Sequence, residues 1–403
     1  MVAAPLAAET FRLTAFVSGR GTYATGPQSW LAGGFGRLDA GADGPKDSQQ
    51  DLFAVAQVGA DWTPSKYFDV HASGVARRMP NGYGGRAAGL VDAYADVRGF
   101  FGANELQLRA GQFFLGTSRE NRGDLWTSPY SITFSALNTW IGEEVRPVGA
   151  DLQWQHTTDS GYIITGAATA FRNNDTMGTL LAWRGWSLGN YLPVYNEKLP
   201  LPPLFSLAPT GSFSRQQDGT VPFSSDLDGR TGYSERVRIS APERAMLQFT
   251  HVDNRGDREL YHGQYSWYTD FNLIGAEVGT ADTTVFSVEY LDGYSEMGET
   301  TRPGWVDMDF SAWYALLSHK TERFRWTARF DDFATKDLDH SRGETNTEHG
   351  HAWTLAWFYD PGTHVRAGVE FVSVTGNRPA AAESGFDPNL DAKTLTLEVR
   401  YRY

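Results

Sequence analysis

Every second side chain of the closing segment KTLTLEVRYRY is apolar. Leu395, Leu397, Val399, Tyr401 and Tyr403 alternate with Thr394, Thr396, Glu398, Arg400 and Arg402. A period of two is that of a β-strand, whose successive side chains fall on opposite faces. The same pattern recurs upstream. Phe324, Trp326, Ala328 and Phe330 oppose Arg323, Arg325, Thr327 and Arg329, and Val365, Ala367, Val369 and Phe371 oppose Arg366 and Glu370. Val91, Ala93, Ala95 and Val97 oppose Asp92, Tyr94, Asp96 and Arg98, while Leu106, Leu108 and Ala110 oppose Gln107 and Arg109. A chain written this way folds into sheets with one apolar face.

Composition narrows the choice. The 403 residues contain no cysteine, which excludes disulfide and thiolate-metal frameworks. With 48 acidic against 35 basic residues the formal charge is −13, the opposite of what a nucleic-acid partner selects. No apolar run is long enough for a membrane helix, and 13 Trp, 18 Tyr and 24 Phe supply far more surface to bury than a disordered chain carries. The opening MVAAPLAAET, with small residues through Ala7 and Ala8, reads as the end of a secretory signal, and residues 1–10 as a residual N-terminal tail.

Two kinds of connection take turns along the chain. Short turn-like segments lie at TPSK, GANE, TTDSG, SAPER and DPGTH. Long polar segments lie at about 22–49, 114–145, 172–231, 292–308, 335–349 and 375–391. Alternation of this kind means successive strands run up and down with all long loops at one end. Strands are expected to begin near residues 11, 51, 67, 89, 105, 147, 162, 232, 244, 264, 284, 308, 323, 351, 364 and 393. At about 10 residues per strand, the length of a tilted transmembrane strand, the reading is an all-β, transmembrane up-and-down antiparallel β-barrel of about 16 strands. It forms a single domain over 11–403, and 14 or 18 strands also fit. For any even count both termini lie on the short-turn side.

Three features place the apolar face against lipid. A closed up-and-down series leaves no unpaired backbone in hydrocarbon. Aromatic residues cluster toward the ends of apolar faces, as at Tyr401, Tyr403, Trp353, Tyr359, Trp326 and Phe330, where interfacial girdles belong. Arginine recurs on the opposite face, which a water-filled lumen tolerates and a dry core does not. The terminal LEVRYRY resembles the last strand that Gram-negative outer-membrane barrels present to their assembly machinery. The chain as a whole resembles the porins in length, acidity, lack of cysteine and up-and-down pattern. The resemblance implies an outer-membrane channel in contact with the bilayer and lipopolysaccharide. It also implies a homotrimer, as in general porins, or a monomer, as in some substrate-specific ones.

In porins the third long loop folds inward, and the segment at that position here is 115–146. It carries Glu120, Asp124, Glu143 and Glu144 beside Arg119, Arg122 and Arg146, with Trp126, Tyr130, Phe134 and Trp140 among them. Arginines assigned inward on the wall are Arg12, Arg20, Arg98, Arg109, Arg236, Arg238, Arg323, Arg325, Arg329, Arg366, Arg400 and Arg402. Arginine rings favour anions and stay charged at any relevant pH. These side chains set selectivity, pair with Asp69, Asp92, Asp96, Asp151, Glu289, Glu370 and Glu398 to hold the wall, or do both. The expected function is passive diffusion of small hydrophilic solutes with an anion or polar-solute preference. A sugar- or phosphate-specific channel and a barrel hydrolase are the alternatives.

No cofactor is expected. HGH puts His349 and His351 on one strand face with His340 and Glu348 nearby, but the position reads as a loop end, so no metal is assigned. Adjacent Glu143 and Glu144 point apart on a strand, unlike a glycosidase pair, and DGYSEMG is not a nucleophile elbow. PLPPLF, in the long loop 172–231, is expected to be extended, and that loop either plugs the pore or caps a neighbour. If loop 115–146 narrows the pore, Arg98→Ala with Arg109→Ala shifts permeability toward cations, and removing Glu143 and Glu144 shifts it toward anions. Reversal potentials in asymmetric salt measure both.

Overall fold

The computed structural model describes residues 10–403 apart from 81, 217–218, 224–225, 299–303, 340 and 342–344. Ala7, Ala8 and His340 lie outside the described residues. Sixteen antiparallel strands close into one barrel. They are β1 (Thr10–Gly26), β2 (Gly44–Ser65), β3 (Phe68–Arg78), β4 (Ala88–Phe101), β5 (Asn104–Gln112), β6 (Val148–Thr157), β7 (Ile163–Arg172) and β8 (Gly232–Ala241). The series continues with β9 (Ala245–Asp253), β10 (Tyr268–Gly279), β11 (Thr284–Met297), β12 (Val306–Lys320), β13 (Phe324–Asp337), β14 (Glu348–Tyr359), β15 (Val365–Asn377) and β16 (Ala392–Arg402). Each strand pairs with its neighbours in sequence. β1 closes the ring against β16, from Phe16 opposite Arg402 to Thr25 opposite Lys393. Thr10 and Arg402 therefore sit at the rim of the short turns.

Those turns are tight. Phe101 faces Asn104 across two residues, and Gly102 there has φ +63°, a conformation that costs glycine little. The opposite rim carries the long connections 27–43, 113–147, 173–231, 298–305, 338–347 and 378–391. It also carries 79–87 and 254–267, which are absent from the sequence reading.

The outer face carries the expected apolar band. Leu395, Leu397, Val399 and Tyr401 are exposed, as are Leu317, Trp326 and Leu355. Aromatic belts bound the band. At the short-turn rim Phe324 lies 5.0 Å from Tyr359 and 5.8 Å from Trp357 between ring centroids. Higher up, Trp313 lies 5.4 Å from Phe330, which lies 4.9 Å from Trp353.

Above the upper belt the two faces exchange chemistry. In β11 and β12 the outward residues become Asp292, Glu296, Asp307 and Asp309, while Leu291, Met297, Val306, Met308 and Phe310 point inward and are buried. Here the outside of the barrel meets water and the inside meets protein. Phe271, Leu273, Phe333, Ala352, Val372 and Val374 extend this apolar inner wall, which departs from the uniformly polar lumen that alternation suggested. Val91 departs as well. A bulge lets Ser73 face Asp92 while Gly74 faces Leu90, so Val91 is the extra residue and turns inward onto Val75, Phe134, Leu192 and Val194.

The band makes a depth-dependent test. Leu397 is 60% exposed near mid-strand, so Leu397→Arg should cost about 2–4 kcal/mol, whereas Tyr401→Arg at the rim should cost about 0–1 kcal/mol. Denaturant unfolding in lipid vesicles reads both, and equal costs at the two depths would contradict a lipid-facing band.

Candidate functional site

Two long loops enter the barrel, and their anchors decide what space remains. The first, 113–147, carries helix α1 (Ala136–Glu144), every residue of which is buried. Ser135 caps its start by accepting from the Asn138 backbone N–H at 3.2 Å. The wall holds the segment before the helix through a buried arginine. Arg329 donates to Glu120 Oε1 at 2.5 Å, to Asp331 Oδ2 at 2.8 Å and to the carbonyls of Thr133 and Phe134 at 2.7 and 3.0 Å. Glu370 accepts from the Ile132 and Thr133 backbone N–H groups at 2.6 and 2.9 Å, and Asp331 accepts from that of Ala136 at 3.1 Å. Glu289 accepts from Asn138 at 2.9 Å and from the Tyr314 hydroxyl at 2.6 Å. A buried ion network like this is worth little against an apolar replacement, but removing one partner costs about 3–5 kcal/mol. Arg329, Glu289 and Glu370 thus hold the loop instead of lining water.

The second loop, 173–231, carries helix α2 (Thr179–Trp183) and packs on the first. Trp140 lies 5.2 Å from Phe271 and 5.3 Å from Phe310, and Trp183 lies 5.9 Å from Trp267, all within one core shared by both loops and the inner wall. This loop fills its own barrel.

That arrangement corrects the sequence reading of Glu143, Glu144 and Arg146. All three are fully buried between the loops. Glu143 accepts from Arg184 at 2.7 Å, and Glu144 accepts from Trp140 Nε1 at 2.7 Å and from the Leu180 backbone N–H at 3.1 Å. Arg146 donates to the Pro193 carbonyl and lies 4.0 Å from the Phe223 ring centroid. Burial pushes both Glu143 and Glu144 up to about 7, against the opposing pull of Arg184 on Glu143 and of the hydrogen bonds to Glu144. Sequence placed these carboxylates opposite wall arginines, but the helix turns them toward the second loop.

One water-sized space beside the inserted loops hugs β5–β10. A cavity of about 140 Å³ is bounded by Arg109, Arg119, Asp151, Arg236 and Arg238, and an adjoining cavity of about 230 Å³ by Arg119, Arg122, Arg238, Glu243, Arg244 and Glu277. Arg119 and Arg238 belong to both. Six arginines therefore face three carboxylates along this line. Arg109 is held bidentate by Asp96 at 2.9 Å, Arg122 meets Glu277 at 2.5 Å, and Arg236 lies 3.6 Å from Asp151. Among the described residues no carboxylate reaches Arg119 or Arg238 at ion-pair distance, and Arg119 Nε is buried without an acceptor.

The other predicted residues scatter. Arg98 is tied to Asp69 at 2.7 Å near the short-turn rim, and Asp124 is exposed where the first loop turns. Arg323 stands in the exposed turn ahead of β13, outside the wall, because the strand begins at Phe324. Arg325 donates to Ser318 at 2.9 Å, Arg366 to Asp360 at 3.0 Å, and Arg400 lies 3.1 Å from Glu398. The sequence reading places Arg119 in the inward loop, whereas Arg244 is absent from it because it sits in the SAPER turn, where alternation assigns no face.

Glu348 points inward to Arg378 at 2.9 Å while His349 and His351 point outward, so HGH and its glutamate do not converge. Asp175, Asp226 and Asp228 each bring a carboxylate oxygen within 4.8 Å of the others in loop 173–231. Asp175 already accepts from the Leu227 backbone N–H, and Asp228 accepts from the Ser266 hydroxyl at 2.7 Å and the Asp257 backbone N–H at 2.9 Å.

No protein-family model matches the sequence, and no curated protein matches it. Solved structures do match the fold. An anion-selective porin from Comamonas acidovorans is similar at TM-score 0.54 and 8% identity, covering 98% of this chain and 100% of its own. The outer-membrane channel DcaP of Acinetobacter baumannii is similar at 0.53 and 10%, covering 98% of each chain. The trimer form of OmpT, an outer-membrane protein of Vibrio cholerae, is similar at 0.52 and 9%, covering 98% and 100%. At these identities the likeness establishes the porin fold.

The buried loop–loop carboxylates give the barrel a pH signature. Their folded values lie above the ordinary 4.5, so the folded state holds more protons than the unfolded one between about 4.5 and 7. Stability should therefore fall as pH rises through that window and level off above it. The gap between urea midpoints at pH 5 and pH 8 in the native chain should narrow in Glu143→Gln with Glu144→Gln without closing, because burial also pushes Asp175 of the second loop up to about 7. An unchanged pH dependence in the double variant would assign the effect to other groups.

Proposed function

We propose that this protein is an outer-membrane channel for passive diffusion of small hydrophilic solutes, with a preference for anions. The carrying observation is the line of six arginines against three carboxylates beside the inserted loops. Guanidinium groups remain charged. In a narrow passage of low effective dielectric, charges act on a passing ion more strongly and are less screened than at an open surface. Among the described residues no carboxylate lies within ion-pair distance of Arg119 or Arg238, so their charge is available to a solute in the space between them.

The outer band would face lipid, with lipopolysaccharide around the polar long-loop rim, and LEVRYRY would serve as the signal for barrel assembly. A homotrimer is the assembly we propose, the form that OmpT of Vibrio cholerae adopts in one matching structure. Catalysis is not part of the proposal, and the same recordings test that.

In planar bilayers the purified barrel should give stepwise ohmic conductance and a reversal potential favouring anions. A silent barrel that cleaves lipid or peptide would overturn the channel reading. Arg119→Ala with Arg238→Ala should lower the anion-to-cation permeability ratio several-fold. Glu143→Gln with Glu144→Gln should leave the ratio where it was, because those groups do not face the passage.

A further inference from the structure

A second space lies across the inserted loops from the arginine line, between β1, β2, β3 and β16. A cavity of about 70 Å³ there adjoins one of about 30 Å³, and the two share Arg20, Gln57, Asn190 and Leu192. At roughly 10–15 Å³ per water position, the larger holds about five to seven waters, or a small organic molecule.

Its chemistry differs from that of the arginine line. Leu31, Phe53, Val55, Met79, Leu188 and Leu192 supply apolar wall. The two cations are already matched. Arg20 donates to Glu398 at 2.6 Å and to Asn190 Oδ1 at 2.7 Å, and Arg77 donates to the Leu192 carbonyl at 3.0 Å and to Glu197 at 3.2 Å. Among the described residues that line the larger cavity, the unmatched groups are acceptors. Gln57 is 7% exposed and its Oε1 has no donor. Asp39 Oδ2 takes the Asn190 backbone N–H at 2.7 Å, while its Oδ1 has none. Buried acceptors without donors are uncommon in folded proteins and point to a missing partner.

We propose that this cavity binds a small uncharged molecule with an aliphatic body and hydrogen-bond donors, a diol or polyhydric alcohol being the fitting class. The aliphatic wall takes the body, and Gln57 Oε1 and Asp39 Oδ1 take the donors. An anion would meet Asp39, and a cation would meet Arg20 and Arg77. The inference stands apart from the anion preference, since it uses none of the arginines of the other passage.

Three four-carbon probes separate the cases: butane-1,4-diol, succinate and putrescine. Saturation-transfer NMR on the reconstituted barrel should show saturable binding of the diol, undisturbed by either charged analogue. Val55→Trp, which fills the space, should abolish the signal. Gln57→Leu, which keeps the shape and removes the acceptor, should weaken binding about fivefold while the reversal potential stays at its native value. Mobility on unheated gels identifies folded variants, and Gln57→Leu carries the test if Val55→Trp does not fold. No saturable diol binding in the native barrel, binding unchanged in folded variants, or displacement by succinate or putrescine would each overturn the proposal.

Discussion

Hydrocarbon offers no partner to a backbone N–H or C=O, so a sheet that crosses a bilayer must end on itself. Here that requirement is met by one pairing, β1 against β16, with Phe16 opposite Arg402 and Thr25 opposite Lys393. Everything else follows from closure. Once the ring is shut, each strand has an inside and an outside, alternation assigns every residue to one of them, and the long loops can fold into the enclosed space.

What fills that space is protein more than water. The two inserted loops share a core with the upper inner wall, where Trp140, Trp183, Phe271 and Phe310 meet. The buried Arg329, with Glu120 and Asp331, fixes the first loop to β13. The second loop is fixed to the first through Glu143 and Glu144. The loops leave two narrow spaces on different sides of themselves, one rich in guanidinium and one largely aliphatic. Where the loops are anchored therefore sets the chemistry of the enclosed spaces as much as the wall does.

Much of the wall could be read from the chain. In β16 and in the 324–330 stretch of β13 the apolar and polar faces fall where alternation puts them, because both stretches run through the outer apolar band without interruption. Val91 was misassigned since a bulge adds one residue and nothing local in VDAYADVR signals it. β12 shows a different limit: its alternation is real, but above the aromatic belt the apolar residues Met308 and Phe310 point inward. Period two reveals a strand and not which medium each face meets. The candidate site was least legible. Arg109, Arg236 and Arg238 are legible as strand residues and Arg119 and Arg122 as members of the inward loop, whereas Arg244 sits where no period exists. Glu143 and Glu144 drew attention as charges, yet their partners Arg184 and Leu180 lie about 40 residues away in another loop.

The segregation of long connections to one rim has a consequence for biogenesis. If the barrel inserts from the side of its termini, each long loop must traverse the bilayer. The segment 173–231 carries Leu180, Trp183 and Trp186, which end up fully buried. Their resting place is assembled from strands as distant in sequence as β7 and β15, so it does not exist until the ring is nearly shut. A nascent barrel thus has to deliver an apolar segment to a site it has not yet built. Capture of that segment would therefore follow strand pairing instead of accompanying it.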